Sequence, residues 1–154
     1  MAGILIAYQL QKAGKQVIVL EANRIGSGQT RNTTAKITSQ HGLKYNNLIH
    51  SVGKEKAKQY AMANEAAIQE YKRIVKEEKI FCDFEEIGAY VYSSDKNRLK
   101  EELKAAASLG LPASIVSHVE LPFNRCCALR FDHQTLSKKH PVINETAALA
   151  TIKI

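Results

Sequence analysis

The residues best spaced for chemistry lie near the start of the chain. They are a glycine, a small residue one helical turn later, and an acid that follows an apolar run. Gly3 opens a stretch with apolar residues at helical spacing, Ala7 keeps the same face small, and Glu21 closes the run Val17–Leu20. Dinucleotide sites use a glycine-rich turn before a helix, and an acid about 20 residues later that accepts hydrogen bonds from the adenosine ribose. The spacing fits the third glycine of that turn, with the first strand and two glycines missing before Ala2. An ordinary α/β segment with a helix-packing glycine is the alternative.

The loop that follows this run is the second segment whose composition suits a ligand. Residues 22–41 are rich in Gly, Ser, Thr, Asn and Gln, and they include Thr33, Thr34, Ala35 and Lys36. A loop of this length inside a compact domain usually has a function. Hydroxyls and free backbone amides suit a phosphate-rich ligand, to which the lysine would add positive charge. A solvated connection rich in Thr and Ser is the alternative.

Helices and strands predicted from the hydrophobic pattern must position these segments. Residues 3–13 predict a helix that Gly14 ends. The run Val17–Leu20 predicts a parallel strand buried on both faces, because its hydrophobicity is continuous rather than alternating. A long amphipathic helix is predicted from Val52 to about residue 79, with Ser51 as its N-cap.

The second half of the chain shows short strands around one further helix. Residues 88–92 and 128–131 have the composition of strands. Asp95 is expected to cap a helix that Gly110 ends. The predicted fold is therefore α/β: a partial Rossmann-like domain lacking its first strand, with a long helix and additional mixed strands.

Composition and charge exclude several classes of protein. The 154 residues, 45% of them hydrophobic and 24% charged, suit one globular domain. No apolar run approaches the roughly 20 residues of a membrane span, and the first residues do not have the pattern of a signal peptide. The net charge is +7, but the lysines alternate with glutamates, as in residues 70–79, which indicates a solvated helix face rather than a nucleic-acid footprint. We therefore expect a soluble cytoplasmic protein that binds no nucleic acid.

The cysteines and histidines show no spacing typical of metal sites or disulfides. Cys82 stands apart, Cys126 and Cys127 are adjacent, and no C-x-x-C motif occurs. Neighbouring cysteines rarely bridge because the geometry is strained, and the five histidines are scattered. We expect reduced, partly buried thiols and no metal, with a redox switch at the adjacent pair as the alternative.

Two segments resemble a known family of flavoenzymes. Residues 17–28, Val-Ile-Val-Leu-Glu-Ala-Asn-Arg-Ile-Gly-Ser-Gly, resemble the second-strand signature of the D-amino-acid oxidase and glycine oxidase family of FAD-dependent oxidoreductases. Residues 33–43, Thr-Thr-Ala-Lys-Ile-Thr-Ser-Gln-His-Gly-Leu, are similar to the branch of that family in which a Rieske iron–sulfur domain follows the flavin part. The resemblance covers roughly residues 3–132 and implies an N-terminal fragment of the FAD-binding part, cut short at both ends.

Carried over position by position, the resemblance implies FAD contacts along this region. Glu21 would accept hydrogen bonds from the adenosine ribose, and Arg24 would lie near the adenine. Ser27 and Gly28 would lie near the phosphates, and residues 33–36 would follow the pyrophosphate and flavin. The full implied set is Gly3, Glu21, Ala22, Arg24, Ser27, Gly28, Thr33, Thr34, Ala35 and Lys36.

The end of the chain departs from the family pattern. We expect residues 1–132 to form a truncated FAD-binding oxidoreductase domain and residues 133–154 to form a divergent tail. Clear periodicity is lost after Asp132 until residues 146–154, which could be helix or strand. The chain shows no Rieske pair of cysteines and histidines, and the resemblance assigns no catalytic residue to it. It implies FAD-dependent oxidation of a small-molecule amine or amino acid at a C–N bond, with the isolated chain inactive and its FAD binding weak or absent. The alternative is a non-catalytic interaction module, as a homo-oligomer or with a complementing chain.

Overall fold

A computed structural model describes residues 2–23, 32–117 and 127–137 as a mixed α/β protein. The elements, in chain order, are α1 (Ala2–Lys12), β1 (Lys36–Ile37), α2 (Tyr45–Val52), α3 (Lys54–Glu77), β2 (Phe84–Tyr92), α4 (Lys96–Ser108), β3 (Ala113–Val116) and β4 (Ala128–Ser137). The chain divides into two compact units. The first unit comprises residues 1–36, 72–84 and 137–154, and the second comprises residues 37–71 and 85–136.

The core of the second unit combines large rings with alanines. The alanines on α3 and α4 allow close packing of helices, because their side chains are a single methyl group. Tyr45 and Phe131 are buried next to each other, with ring centroids 6.1 Å apart. The buried cluster contains Tyr45, Ala57, Ala61, Leu99, Ala105, Ala106, Leu109, Leu111, Leu129 and Phe131. The amphipathic face predicted for the long helix thus supplies two of its members.

Four strands form one sheet within the described part of the chain. Its order is β1-β4-β2, and β3 also pairs with β4. The β3–β4 pair is antiparallel, with Ala113 opposite Phe131 and Val116 opposite Ala128. The two strands predicted at residues 88–92 and 128–131 lie inside β2 and β4, and both are longer than predicted. β4 is therefore the strand that the other three share.

The helix ends follow the predicted capping residues. The side chain of Asp95 accepts hydrogen bonds from the backbone N–H groups of Asn97 and Arg98 at the start of α4. Gly14 and Gly110 have φ of +74° and +84° and end α1 and α4. Around each glycine two backbone hydrogen bonds close a Schellman motif, the arrangement that satisfies the last helical carbonyls. These predictions are confirmed.

The N-terminus predicted for the long helix is wrong. Ser51 lies inside α2, where its hydroxyl donates to the carbonyl of Leu48. The helical stretch is interrupted at Gly53, which has φ of +84°, and α3 begins at Lys54. The reason is that a left-handed glycine ends one helix and leaves the next to start directly after it.

The predicted buried strand at Val17–Leu20 is also wrong. The structure assigns no strand to these residues, and the side chains of Ile18 and Leu20 are 73% and 88% exposed. A parallel strand is stable only when neighbouring strands supply its hydrogen bonds and cover its faces. Within the described residues no strand pairs with this run, so it remains extended without a ladder.

The region predicted to lose periodicity begins within β4. Residues 133–137 continue this strand, and Gln134, Thr135 and Ser137 are buried. His133 has φ of +58° and is exposed, which breaks the simple alternation of buried and exposed residues. Residues 138–154, the remainder of the predicted tail, lie outside the described residues.

Candidate cofactor site

Seven of the predicted FAD-binding residues belong to the first unit. They are Gly3, Glu21, Ala22, Thr33, Thr34, Ala35 and Lys36. The other three, Arg24, Ser27 and Gly28, lie outside the described residues. The described members of the predicted site therefore belong to one compact unit.

The start of α1 is open rather than tightly packed. A Cβ atom added at Gly3 would meet no atom within 4 Å. The predicted reason for this glycine, close packing of helix on strand, is therefore not realised among the described residues, because no strand is formed there to pack on. The first turn of α1 has no acidic residue, so the positive end of the helix dipole is not neutralised from within the helix.

The position of α1 is secured by a polar cluster near its other end. The buried ring of Tyr8 carries a hydroxyl that donates to Glu78 Oε1 at 2.5 Å, and Lys12 Nζ lies 2.7 Å from the same oxygen. The hydrogen bond from Lys12, followed by that from Tyr8, holds the pKa of Glu78 below its usual value. Burial raises the pKa of Tyr8. The helix that begins at Gly3 is thus fixed to the residues that follow α3.

Glu21 presents its carboxylate to solvent. The side chain is exposed, and Oε1 accepts a hydrogen bond of 2.9 Å from the backbone N–H of Asn23. Ala22 is also exposed. A local turn of this kind orients the carboxylate, and an exposed oxygen can accept further hydrogen bonds from the hydroxyls of a ligand.

The loop before β1 has an unusual backbone that is anchored at one point. Ala35 has φ of +54°, a left-handed conformation that costs a non-glycine residue on the order of 1 kcal/mol. The hydroxyl of Thr33 accepts a weak hydrogen bond of 3.4 Å from the N–H of Ala35. The carbonyl of Ala35 accepts one of 3.1 Å from the N–H of Ser137, whose hydroxyl donates to the carbonyl of Cys82. The last residue of β4 therefore holds this strained loop in place.

The segment after β1 is fixed by a buried amide in the second unit. Gln134 Oε1 accepts hydrogen bonds from the N–H of Ser39 at 2.7 Å and from the hydroxyl of Thr38 at 2.8 Å. The hydroxyl of Thr135 donates to the carbonyl of Ile37 at 3.2 Å. Sequence reasoning missed these positioning residues because they fall in the predicted tail, where polar residue types hide the pattern of a strand.

A buried carboxylate holds the start of α2. Glu102 Oε1 accepts hydrogen bonds from the N–H groups of Lys44 and Tyr45 at 2.8 and 2.7 Å, and Oε2 accepts one from Asn46 at 2.9 Å. These N–H groups have no partner within a helix, and a negative charge there also complements the helix dipole. The only feature of the sequence that pointed to this capping role is that Glu102 occupies a position of α4 that faces the core.

The buried hydroxyl of Tyr45 completes the support of this segment. It donates to the carbonyl of Ser39 at 2.5 Å, and the Tyr45 side chain is 1% exposed. Burial raises the pKa of Tyr45 to about 12. The hydroxyl therefore remains a donor at any physiological pH.

The described residues include two cysteines and no candidate metal cluster. Within them no group of three or more His, Cys, Asp or Glu residues could hold a metal ion. Cys82 is a buried cysteine and Cys127 is a partly buried one. Cys126 lies outside the described residues.

Across the helices that the structure describes, none has both the length and the apolar composition needed to cross a bilayer.

The exposed groups fit the adenosine and phosphate portion of a dinucleotide. A carboxylate at Glu21 suits ribose hydroxyls, whereas the hydroxyls of Thr33 and Thr34 and the ammonium of Lys36 suit phosphate oxygens. Lys36 is exposed at the start of β1, directly after the strained residue. The described residues thus expose a carboxylate, hydroxyls and an ammonium group, and their assignment to FAD stays a prediction.

Sequence comparisons relate the chain to FAD-dependent enzymes. The family model DAO, described as FAD dependent oxidoreductase, matches residues 1–133. A protein named as a Rieske 2Fe-2S iron-sulfur protein, YhfW of Bacillus subtilis (strain 168), is 34% identical over 145 residues. That match covers 92% of this chain and 28% of the relative, so the chain spans a little over a quarter of the relative's length. The relative's name agrees with the predicted similarity to the Rieske-associated branch.

Proposed function

The chain belongs to the FAD-dependent oxidoreductase family, and on that premise we propose that it derives from an enzyme that oxidises an amine or amino acid, with little or no turnover by the isolated chain. Membership implies a Rossmann-like FAD-binding fold. When bound, FAD supplies the hydride acceptor for oxidation at the carbon next to nitrogen. The substrate class and the inactivity of the isolated chain belong to this proposal. Its statement that the cofactor is FAD rests on the exposed carboxylate of Glu21 within the matched region.

The residues of the first unit would act on the adenosine side of FAD. Glu21 would accept hydrogen bonds from the ribose, and its turn with Asn23 would orient the carboxylate. Thr33, Thr34 and Lys36 would neutralise and hold phosphate oxygens, with the α1 N-terminus contributing its positive dipole end. The contact from Ser137 to Ala35 keeps the loop in the conformation that exposes these groups.

We expect FAD binding by this chain to be weak. The run Val17–Leu20, which carries Glu21 at its end, belongs to no ladder of the described sheet. The backbone hydrogen bonds of that sheet therefore do not hold the carboxylate in one position for a ribose.

Titration of FAD into the purified chain, followed by flavin fluorescence, tests this proposal. We expect saturable but weak binding that Glu21→Ala reduces about tenfold, because a hydrogen bond to a charged group contributes on the order of 1.5 kcal/mol. Glu101→Ala, which removes an exposed carboxylate from α4, is the matched control and leaves binding unchanged. FAD that co-purifies at one equivalent would contradict weak binding, and Glu21→Ala without effect would contradict the assigned role.

A peroxide-release assay with amines and amino acids tests the inactivity. We expect rates at the level of free FAD. Turnover above that level, lost on Glu21→Ala but kept in Glu101→Ala, would show that the isolated chain is an enzyme.

A second candidate function is a non-catalytic interaction module. The exposure of Ile18 and Leu20 favours it, because an extended apolar segment without a partner strand tends to pair with another chain. Light scattering together with the FAD titration distinguishes the two candidates: a non-catalytic module forms a defined oligomer and shows no saturable binding of FAD.

A further inference from the structure

Among the residues that the structure describes, the segment Lys15–Glu21 has the features of a strand without a neighbour. It is extended and lies outside every ladder of the described sheet. Val17 and Val19 are half-buried, whereas Ile18 and Leu20 are 73% and 88% exposed. Successive side chains of a strand point to opposite faces, so this alternation is that of a strand with one face against its own unit. The other face is apolar and open to water.

Such a segment is a site for strand addition. An unpaired edge offers backbone N–H and C=O groups to any extended chain, and alternate side chains then decide which chain fits. The first unit exposes further large apolar side chains, Ile6, Leu10 and Phe81. A partner would therefore remove apolar surface from water as well as satisfy backbone groups.

The charges at the two ends of the segment indicate which partner fits. The sequence is Lys15-Gln16-Val17-Ile18-Val19-Leu20-Glu21, with a base at one end, an acid at the other and valines placed symmetrically about Ile18. Both charged side chains are exposed. When two copies run antiparallel about Ile18, residue numbers facing each other sum to 36, so that Lys15 faces Glu21 twice.

From this complementarity we propose that the segment pairs with the same segment of a second copy of the chain. The dimer is a two-stranded antiparallel ribbon with its two-fold axis at Ile18. Val17 faces Val19 on the half-buried side, and Leu20 faces Gln16 on the open side. In a parallel pairing in register, lysine would face lysine and glutamate would face glutamate, so the charges disfavour that arrangement. The proposal names a partner for the interaction module considered above and rests on that second candidate function. Because Glu21 is also the proposed ribose ligand, the dimer is tested on the flavin-free chain, where no ribose competes for its carboxylate.

Sedimentation equilibrium of the flavin-free chain, over a range of protein concentrations, tests the dimer. We expect a monomer–dimer equilibrium. Lys15→Glu and Glu21→Lys each create two like-charge contacts, and we expect each to weaken dimerisation roughly tenfold. The double variant Lys15→Glu/Glu21→Lys restores both contacts and therefore the wild-type dissociation constant. Lys104→Glu on α4, an exposed position of the second unit, is the control for net charge and leaves dimerisation unchanged.

Disulfide trapping tests the register. In an antiparallel pair, facing Cα atoms are about 4.5 or 5.5 Å apart, within the range that a disulfide spans. Ile18→Cys faces itself across the axis and should be trapped as a covalent dimer under mild oxidation. Leu20→Cys faces Gln16, and its own copy lies four residues along the ribbon, about 13 Å away, so it should not be trapped. Both variants are made with Cys126→Ser and Cys127→Ser to remove competing thiols.

Several outcomes would overturn the proposal. A monomer at all concentrations, or a polydisperse aggregate, excludes a defined ribbon. A dimer whose dissociation constant is the same in wild type and in the two single charge variants would place the interface elsewhere. Trapping through Leu20→Cys rather than Ile18→Cys shows a different register, and a monomer that binds only an unrelated extended peptide shows that the occupant is a different chain.

Discussion

At the scale of single residues, Glu102 and Gln134 each hold backbone groups that lie far away along the chain. The sequence pattern around Glu21 and the Thr-rich stretch predicts FAD contacts, and these stay predictions. The roles of Glu102 and Gln134 could not be predicted, because a buried polar residue is recognisable only from the backbone groups that it satisfies. Those groups belong to segments distant in sequence: residues 44–46 for the first and residues 38–39 for the second.

The carboxylate of Glu102 is expected to be the most sensitive single polar group in the second unit. Glu102→Ala removes three charge-assisted hydrogen bonds and leaves buried N–H groups without an acceptor, which should lower the free energy of unfolding by about 3 kcal/mol. Glu102→Gln should cost less, since it keeps one acceptor oxygen. The urea midpoint measures both changes, with the exposed Glu101→Gln as control. A loss no greater than that of the control would show that this cap is not needed.

The hydroxyl of Tyr45 should make stability depend on alkaline pH. Burial raises its pKa from 10.0 to about 12 in the folded chain, so the folded state keeps the proton more firmly than the unfolded state. Its contribution is complete below pH 10 and is lost as pH rises from 10 to 12, by about 3 kcal/mol. Tyr45→Phe should lose stability at neutral pH, because the carbonyl of Ser39 loses its donor.

The comparison of wild type with Tyr45→Phe isolates this residue from other titrating groups. Urea unfolding at pH 9 and pH 12 should show a smaller loss in the variant than in the wild type. Equal losses in the two proteins would mean that the hydroxyl ionises as easily in the folded chain as in the unfolded one.

At the scale of secondary-structure elements, local signals predicted helix ends well and strands less reliably. Asp95, Gly14 and Gly110 act within one turn of the chain, so their roles follow from sequence alone. The strand expected at Val17–Leu20 required partners that propensity does not supply. β4 extends beyond its apolar part because Gln134, Thr135 and Ser137 are satisfied by hydrogen bonds to distant backbone and side-chain groups.

The end of α3 contains a residue that glycine should replace with a gain in stability. Lys79 has φ of +52° and occupies the position that Gly14 and Gly110 occupy in the other Schellman motifs, with the N–H of Ile80 bonded to the carbonyl of Val75. Relief of the left-handed strain should raise the free energy of unfolding of Lys79→Gly by about 0.5–1 kcal/mol. The gain is smaller than the strain energy itself, because glycine makes the unfolded chain more flexible.

Thermal and urea unfolding measure this change, and a nearby glycine serves as control. Lys76→Gly, inside the last turn of α3, should instead destabilise by about 1 kcal/mol. If both substitutions destabilise, the lysine does not occupy a strained position in solution.

At the scale of the whole molecule, family membership could be predicted but the behaviour of the exposed segment could not. The resemblance in residues 17–28 and 33–43 identified FAD-dependent oxidoreductases, and the family match over residues 1–133 confirms it. A family pattern assigns neighbours to each strand. Whether such neighbouring strands are formed depends on the fold. In the structure, the side chains of Ile18 and Leu20 are exposed to solvent.

The proposed ribbon should therefore make stability depend on protein concentration. Association of folded chains stabilises them by mass action, so the thermal midpoint should rise by about 3 °C for each tenfold increase in concentration. Lys15→Glu should remove most of this dependence, and the exchange with Glu21→Lys should restore it. A midpoint that does not change with concentration, measured by scanning calorimetry between dilute and concentrated samples, would mean that the apolar face stays in water while the chain remains folded. The stability of the first unit would then have to come from its own contacts, such as those among Tyr8, Lys12 and Glu78.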